Sequence, residues 1–133
     1  MEVKGAREML FRGKRLSNGE WVYGFIIKTF GTYYIIDKDD NKRIAYKIIP
    51  ETVGQYTGLC DKNGKKIFEG DIMAFTAYGF DYVGTVEFAD GSFSVMCEHM
   101  SPFLDQAVSK HGAYIIGNMH DNPELPEGFN GEE

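Results

Sequence analysis

The sequence predicts a mainly β protein: a small β-barrel preceded by an N-terminal β-meander and carrying one short helix. Three observations lead there. Apolar and aromatic residues alternate with a period of two in several short runs. Turn signals separate those runs, notably Asn18-Gly19, Asp61-Lys62-Asn63-Gly64 and Asp90-Gly91. Helical spacing occurs in one stretch alone, residues 101–112. With 133 residues, 43% of them hydrophobic and 26% charged, the chain has the size and composition of one folded domain. We expect a single domain over 1–125, with the meander over about 7–50 and the barrel part over about 51–125. Residues 126–133 read as an acidic flexible tail.

The meander begins after Ser17-Asn18-Gly19-Glu20. Trp21, Tyr23, Phe25 and Ile27 share one face of a strand, and because apolar residues alternate with them they are expected in the core. Tyr33-Tyr34-Ile35-Ile36 forms a second strand after Gly31, a polar turn covers 37–41, and Ile44, Tyr46 and Ile48 alternate along a third that Pro50 ends.

Residues 51–71 hold tight turns. Asp61 is placed to accept a backbone hydrogen bond and Gly64 to supply positive φ. Glu69-Gly70-Asp71 reads as a turn whose carboxylates accept backbone N–H bonds at the entry to the strand Ile72-Met73-Ala74-Phe75. A loop is expected at 76–81. A strand follows over 82–88, then an Asp90-Gly91 type I′ turn and a return strand with Phe93, Val95 and Cys97 facing inward. In the helix, Ser101 is the expected cap and Pro102 the first helical residue. Phe103, Leu104, Ala107 and Val108 form its apolar face, and Gly112 stops it. Residues 113–117 add a last strand. The order within 71–117 parallels SH3-like barrels: strand, long loop, strand, tight turn, strand, helical turn, strand. That analogy carries no function.

Charge divides along the chain. Residues 1–66 carry 13 Lys/Arg against 8 Asp/Glu, whereas 67–133 carry 1 against 12, for a net charge of −6. Such asymmetry fits two oppositely charged surfaces. No apolar run is long enough to span a membrane, and Met1-Glu2-Val3-Lys4-Gly5 lacks the apolar core of a signal peptide. Two cysteines, Cys60 and Cys97, are too few for a disulfide framework, so a cytoplasmic location is expected.

Catalytic and metal chemistry find little support. Asp37-x-Asp39-x-Asn41 begins like a calcium loop, but Lys42 and Ile48 stand where glycine and glutamate are needed. Cys97, His99, His111 and His120 lack a second cysteine pair for zinc. Neither cysteine has the base and orienting group of a nucleophile, and no phosphate loop is present: Gly54 and Gly58 lack the Gly-Lys-Ser/Thr ending. The expectation is a protein without cofactor, metal or catalytic residues. Its first reading is a protein-interaction or assembly module, with an unknown protein partner or self-association as a homo-oligomer. The second is nucleic-acid binding through the basic cluster Arg12, Lys14 and Arg15, with Tyr23, Phe25, Tyr33, Tyr34 and Tyr46 available for stacking. The net negative charge opposes that reading.

Several boxes resemble one family. Phe11-Arg12-Gly13-Lys14-Arg15 with Asn18-Gly19-Glu20-Trp21-Val22-Tyr23-Gly24 opens the chain. Thr52-Val53-Gly54-Gln55-Tyr56-Thr57-Gly58-Leu59, then Asp61-Lys62-Asn63-Gly64 and Ile67-Phe68-Glu69-Gly70-Asp71, form its centre. Gly84-Thr85-Val86-Glu87-Phe88 with Asp90-Gly91-Ser92-Phe93, and Ile115-Ile116-Gly117-Asn118 with Asp121-Asn122-Pro123-Glu124-Leu125, complete it. Over roughly residues 7–125 the chain resembles the YopX family, departing at Cys60 and Met119-His120. The resemblance implies a mostly β barrel, a phage or prophage origin and a bacterial cytoplasm, and no reaction. The motif residues Gly54, Gln55, Gly58, Asp61, Gly64, Glu69, Gly70, Asp71, Asp90, Gly91, Gly117 and Asn118 are expected to be structural.

Overall fold

The computed structural model describes residues 8–39 and 41–125. The chain forms two compact units, residues 1–58 and 59–133. The fold is mainly β, in antiparallel sheets.

The first unit contains β1 (Phe11–Lys14), β2 (Trp21–Thr29), β3 (Thr32–Asp37), β4 (Ala45–Lys47) and most of β5 (Gly54–Cys60). Its strands lie side by side in the order β4-β3-β2-β1-β5. Val22, Ile35 and Ile48 are its buried centre, with Ile26, Tyr33 and Tyr46 packed around them. The inner face of β2 is therefore Val22, Gly24 and Ile26, and the expected core row Trp21, Tyr23, Phe25 and Ile27 faces outward. Glycine explains the reversal. A Cβ at Gly13 would press on Ile48 and Ile35, and one at Gly24 would overlap the Ile36 carbonyl. At these two positions the inner side has no room for a side chain. Because both faces of β2 are apolar, period-two alternation alone does not decide which is inside.

After β1 the chain folds back on the end of β4. Leu16 N–H donates to the Lys47 carbonyl and Ile49 N–H to the Lys14 carbonyl, each at 2.9 Å, and Arg15 bridges Ile48.

The second unit contains β6 (Lys66–Phe68), β7 (Asp71–Ala77), β8 (Phe80–Ala89), β9 (Ser92–Met96), α1 (Leu104–His111) and β10 (Tyr114–Asn118). Its main sheet runs β10-β7-β8-β9, and Met73, Phe75, Val86, Val95, Leu104 and Ala107 fill the core against it. The sheet is open, and no closed barrel is present among the described residues. The expected loop at 76–81 is a two-residue turn: β7 runs to Ala77, β8 starts at Phe80, and Tyr78 and Gly79 both have positive φ (54° and 82°). The long loop of an SH3-like order is thus missing. Asp90 and Gly91 have φ of 52° and 81°, as a type I′ turn requires.

The helix also differs at its start. Phe103 is the N-cap, without a side-chain cap bond. Ser101 and Pro102 lie outside because this segment runs antiparallel beside β9: the Pro102 carbonyl accepts the Val95 N–H at 3.0 Å and Phe103 bridges Ser94. Gly112 ends the helix in the left-handed conformation (φ 65°). Near the C-terminus, Leu125 N–H donates to the Asn122 carbonyl at 3.1 Å. The expected acidic tail, 126–133, lies outside the described residues.

Phe30 and Gly31 form a third turn of this kind, with φ of 48° and 78°, and the Phe30 ring is fully exposed. A left-handed φ costs a bulky L-residue about 1–2 kcal/mol, which asparagine largely avoids. Phe30→Asn is therefore expected to raise the unfolding free energy by about 1 kcal/mol in urea titration. A lower midpoint would mean that the ring is packed in the folded protein.

Candidate functional site

The outward side of the first sheet is assembled by strand register. Lys14 lies opposite Trp21 and Arg12 opposite Tyr23. Phe25 pairs with Ile36 and Ile27 with Tyr34, and Tyr34 in turn pairs with Lys47. Along β2 the middle of this row is open to solvent: Tyr23, Phe25 and Ile27 are 37%, 58% and 41% exposed. A contiguous apolar strip on a sheet face marks an interaction surface.

The basic cluster does not form one patch. Arg12 is buried, with its guanidinium 4.7 Å from the Trp21 ring centre, and the Lys14 ammonium lies 5.4 Å from the same ring. Arg15, past the end of β1, lies 4.2 Å over Tyr46 instead. Lys28 sits 5.2 Å from Tyr33. Trp21, Tyr33 and Tyr46 thus each meet a cation through the ring face, whereas Tyr23 and Phe25 stand exposed.

The second unit carries its own apolar surface. Leu59, Ser92, Phe93, Phe103, Leu104 and Asp105 line a groove of about 340 Å³. Phe88 meets Phe93 edge-on at 5.0 Å, and Phe88 and Phe103 are both more than half exposed. Asp105 and, at the adjoining turn, Asp90 give it acidic character. Sequence reasoning put Phe103 on the buried helix face. Its bridge to Ser94 turns that residue outward instead.

Most motif residues fix the backbone. Gly54 lies opposite Arg12, and Gln55 opposite Phe11. Gly58, Gly64 and Gly70 have φ of 90°, 82° and 90°, and Gly70 N–H donates to Val86 while its carbonyl accepts Met119 N–H. The buried Asp71 carboxylate accepts Phe68 N–H at 2.8 Å; Glu69 is half-buried beside it. Asn118 Oδ1 accepts the N–H groups of His120 and Asp121 at 3.0 and 2.9 Å. A Cβ at Gly117 would crowd Asn122 and Leu125.

The Asp61 carboxylate accepts three backbone N–H groups. Oδ1 accepts Asn63 and Lys65 N–H, both at 2.9 Å, and Oδ2 accepts Ile115 N–H at 3.0 Å. Burial works to raise its pKa, but these backbone bonds, helped by the Lys65 charge, outweigh burial and hold it below the usual carboxylate value. Cys97 packs against the core, and burial pushes its thiol up to about 11, so at neutral pH it is neither thiolate nucleophile nor ready ligand. Cys60 is exposed and in no disulfide. Among the described residues no cluster of three or more His, Cys, Asp or Glu could hold a metal, and no helix is long and apolar enough to cross a membrane.

Asp61→Asn turns an acceptor into a donor facing Ile115 N–H. It is expected to lower stability by about 1–3 kcal/mol at pH 7. Because the folded pKa lies below the unfolded one, the wild-type advantage is full above the ordinary carboxylate pKa and is lost as pH falls through the folded value. Urea unfolding of both proteins at neutral and strongly acid pH checks this. A gap that persists in acid would contradict it.

Comparison with known proteins places these features. The family model described as YopX protein matches residues 10–127. The crystal structure of protein EF1440 from Enterococcus faecalis is similar, with a TM-score of 0.58 and 24% sequence identity over 90% of this chain and 99% of that one. At that identity the likeness concerns the fold. No curated protein matches.

Proposed function

The chain belongs to the YopX family, and from that premise we propose that it is a non-catalytic assembly module whose partner is a second copy of itself. One observation carries the reading: each unit exposes an aromatic surface, and the two surfaces lie in opposite charge settings. Residues 1–58 hold 10 Lys/Arg and 7 Asp/Glu, whereas 59–133 hold 4 and 13. On the first unit Tyr23, Phe25 and Ile27 are flanked by Lys14 and Lys47 in register. On the second, Phe88 and Phe103 border a groove that includes Asp105. Joining one face of a copy to the other face of the next buries apolar area and neutralises charge at the rim. Such a contact is heterologous, so it closes into a ring or extends as a filament. The setting proposed for this assembly is a phage- or prophage-bearing bacterial cytoplasm, a reading supported by the family resemblance.

A second reading, single-stranded nucleic-acid binding, is favoured by the exposed rings of Tyr23 and Phe25, in the same row as Trp21, which Lys14 faces in register. The net charge of −6 weighs against it.

Light scattering after size exclusion separates these. The wild type is expected to form a defined oligomer that a mixed oligonucleotide leaves unchanged. Phe25→Asp and Phe103→Lys should each be monomeric, since both positions are exposed and neither supports the core. Mixed together, each variant keeps one intact face, so a heterodimer should form. A wild-type monomer, or two variants that assemble alone, would contradict the proposal. Association only with oligonucleotide, and only at low salt, would favour the second reading.

A further inference from the structure

Arg12 and Arg15 each lie over a ring and each bury an Nε that hydrogen-bonds to no described residue, and Arg15 lines a depression as well. The Arg15 guanidinium lies 4.2 Å over Tyr46. Neither Arg15 nor Lys47 forms an ion pair among the described residues. Both line one depression of about 260 Å³, together with Ser17, Leu16, Ala45 and Tyr46. A half-buried cation without an anion is a costly arrangement unless something neutralises it.

The loop behind the depression is held in place. Arg15 N–H donates to the Glu20 carbonyl at 2.8 Å, Gly19 N–H to the Arg15 carbonyl at 2.8 Å, and Leu16 N–H to the Lys47 carbonyl at 2.9 Å. Arg15 is braced by Tyr46 and so loses little freedom on binding. Its planar fork suits a tetrahedral or planar oxyanion, Lys47 adds a second positive charge, and the Ser17 hydroxyl adds a donor.

We propose that this depression binds a phosphate monoester, with Arg15 and Lys47 as its charge partners and Ser17 as an additional donor. The charge count selects the ligand class. A monoester carries about −1.5 to −2 at neutral pH and balances both cations. A carboxylate or a phosphodiester carries one charge and leaves a cation uncompensated. The proposal rests on the first unit alone; Lys47 also borders the face assigned to self-association, whereas Arg15, over Tyr46, does not, so Arg15→Gln tests this site separately.

Amide NMR of the full chain, titrated with inorganic phosphate at constant ionic strength, tests it. Saturable shifts are expected at Arg15, Leu16, Ser17 and Lys47. Arg15→Gln should weaken binding at least tenfold. Lys47→Gln, at an exposed edge position, should weaken it as well while leaving the remaining spectrum in place, which covers the case in which Arg15→Gln disturbs the stacking on Tyr46. A 5′-phosphorylated oligonucleotide should bind more tightly than its unphosphorylated form. Acetate binding as tight as phosphate would overturn the monoester assignment, and so would equal binding of both oligonucleotides, which would point to nucleic-acid backbone. Shifts spread over all cations and unchanged in both variants would show screening only and overturn the site.

Discussion

The second unit depends on one buried carboxylate. Asp61 closes its own turn through Asn63 and Lys65 and reaches across 54 residues to Ile115 at the start of β10. Taking a carboxylate out of water costs several kcal/mol unless donors replace the solvent, and here three backbone N–H groups do so. The constraint spreads from there. With Ile115 held, β10 pairs with β7, which sets Asn118 opposite Asp71 and lets the Gly70 carbonyl take Met119 N–H. The motif residues at 61–71 and 115–122 are therefore one hydrogen-bonded system, although 44 or more residues separate them in sequence.

That system occupies the polar groups that look most chemical in the sequence. Asp61, Asp71 and Asn118 all accept backbone N–H groups. Among the exposed features of the described residues are the β2 row, the Phe88–Phe103 surface, and Lys47 beside the half-buried Arg15.

Much of the fold was legible. The meander strands, the Asp90-Gly91 turn, the Gly112 stop and the structural role of Asp61 follow from local chemistry, because each depends on a few adjacent residues. The failures arise where a nonlocal partner decides. The inner face of β2 is set by Gly13 and Gly24 packing on Ile48, Ile35 and Ile36, which no period along β2 reveals. Ser101-Pro102 has the composition of a helix start, yet the segment pairs antiparallel with β9. Tyr78-Gly79 was read as loop because an aromatic residue rarely accepts positive φ; the glycine after it was the available signal. Arg12, Lys14 and Arg15 looked like one cluster in sequence, and strand alternation sends Arg15 to a different ring from the other two.

The most direct test of the Asp61 account is a carbon-detected NMR titration of its carboxyl group, followed together with the Ile115 amide proton. The account predicts that both signals move with one midpoint, below the ordinary carboxylate range, and that the Ile115 amide loses its hydrogen-bonded shift as the carboxylate is protonated. An Asp61 midpoint at the ordinary value, with an Ile115 amide indifferent to it, would contradict the account: the two segments would then be held by packing alone.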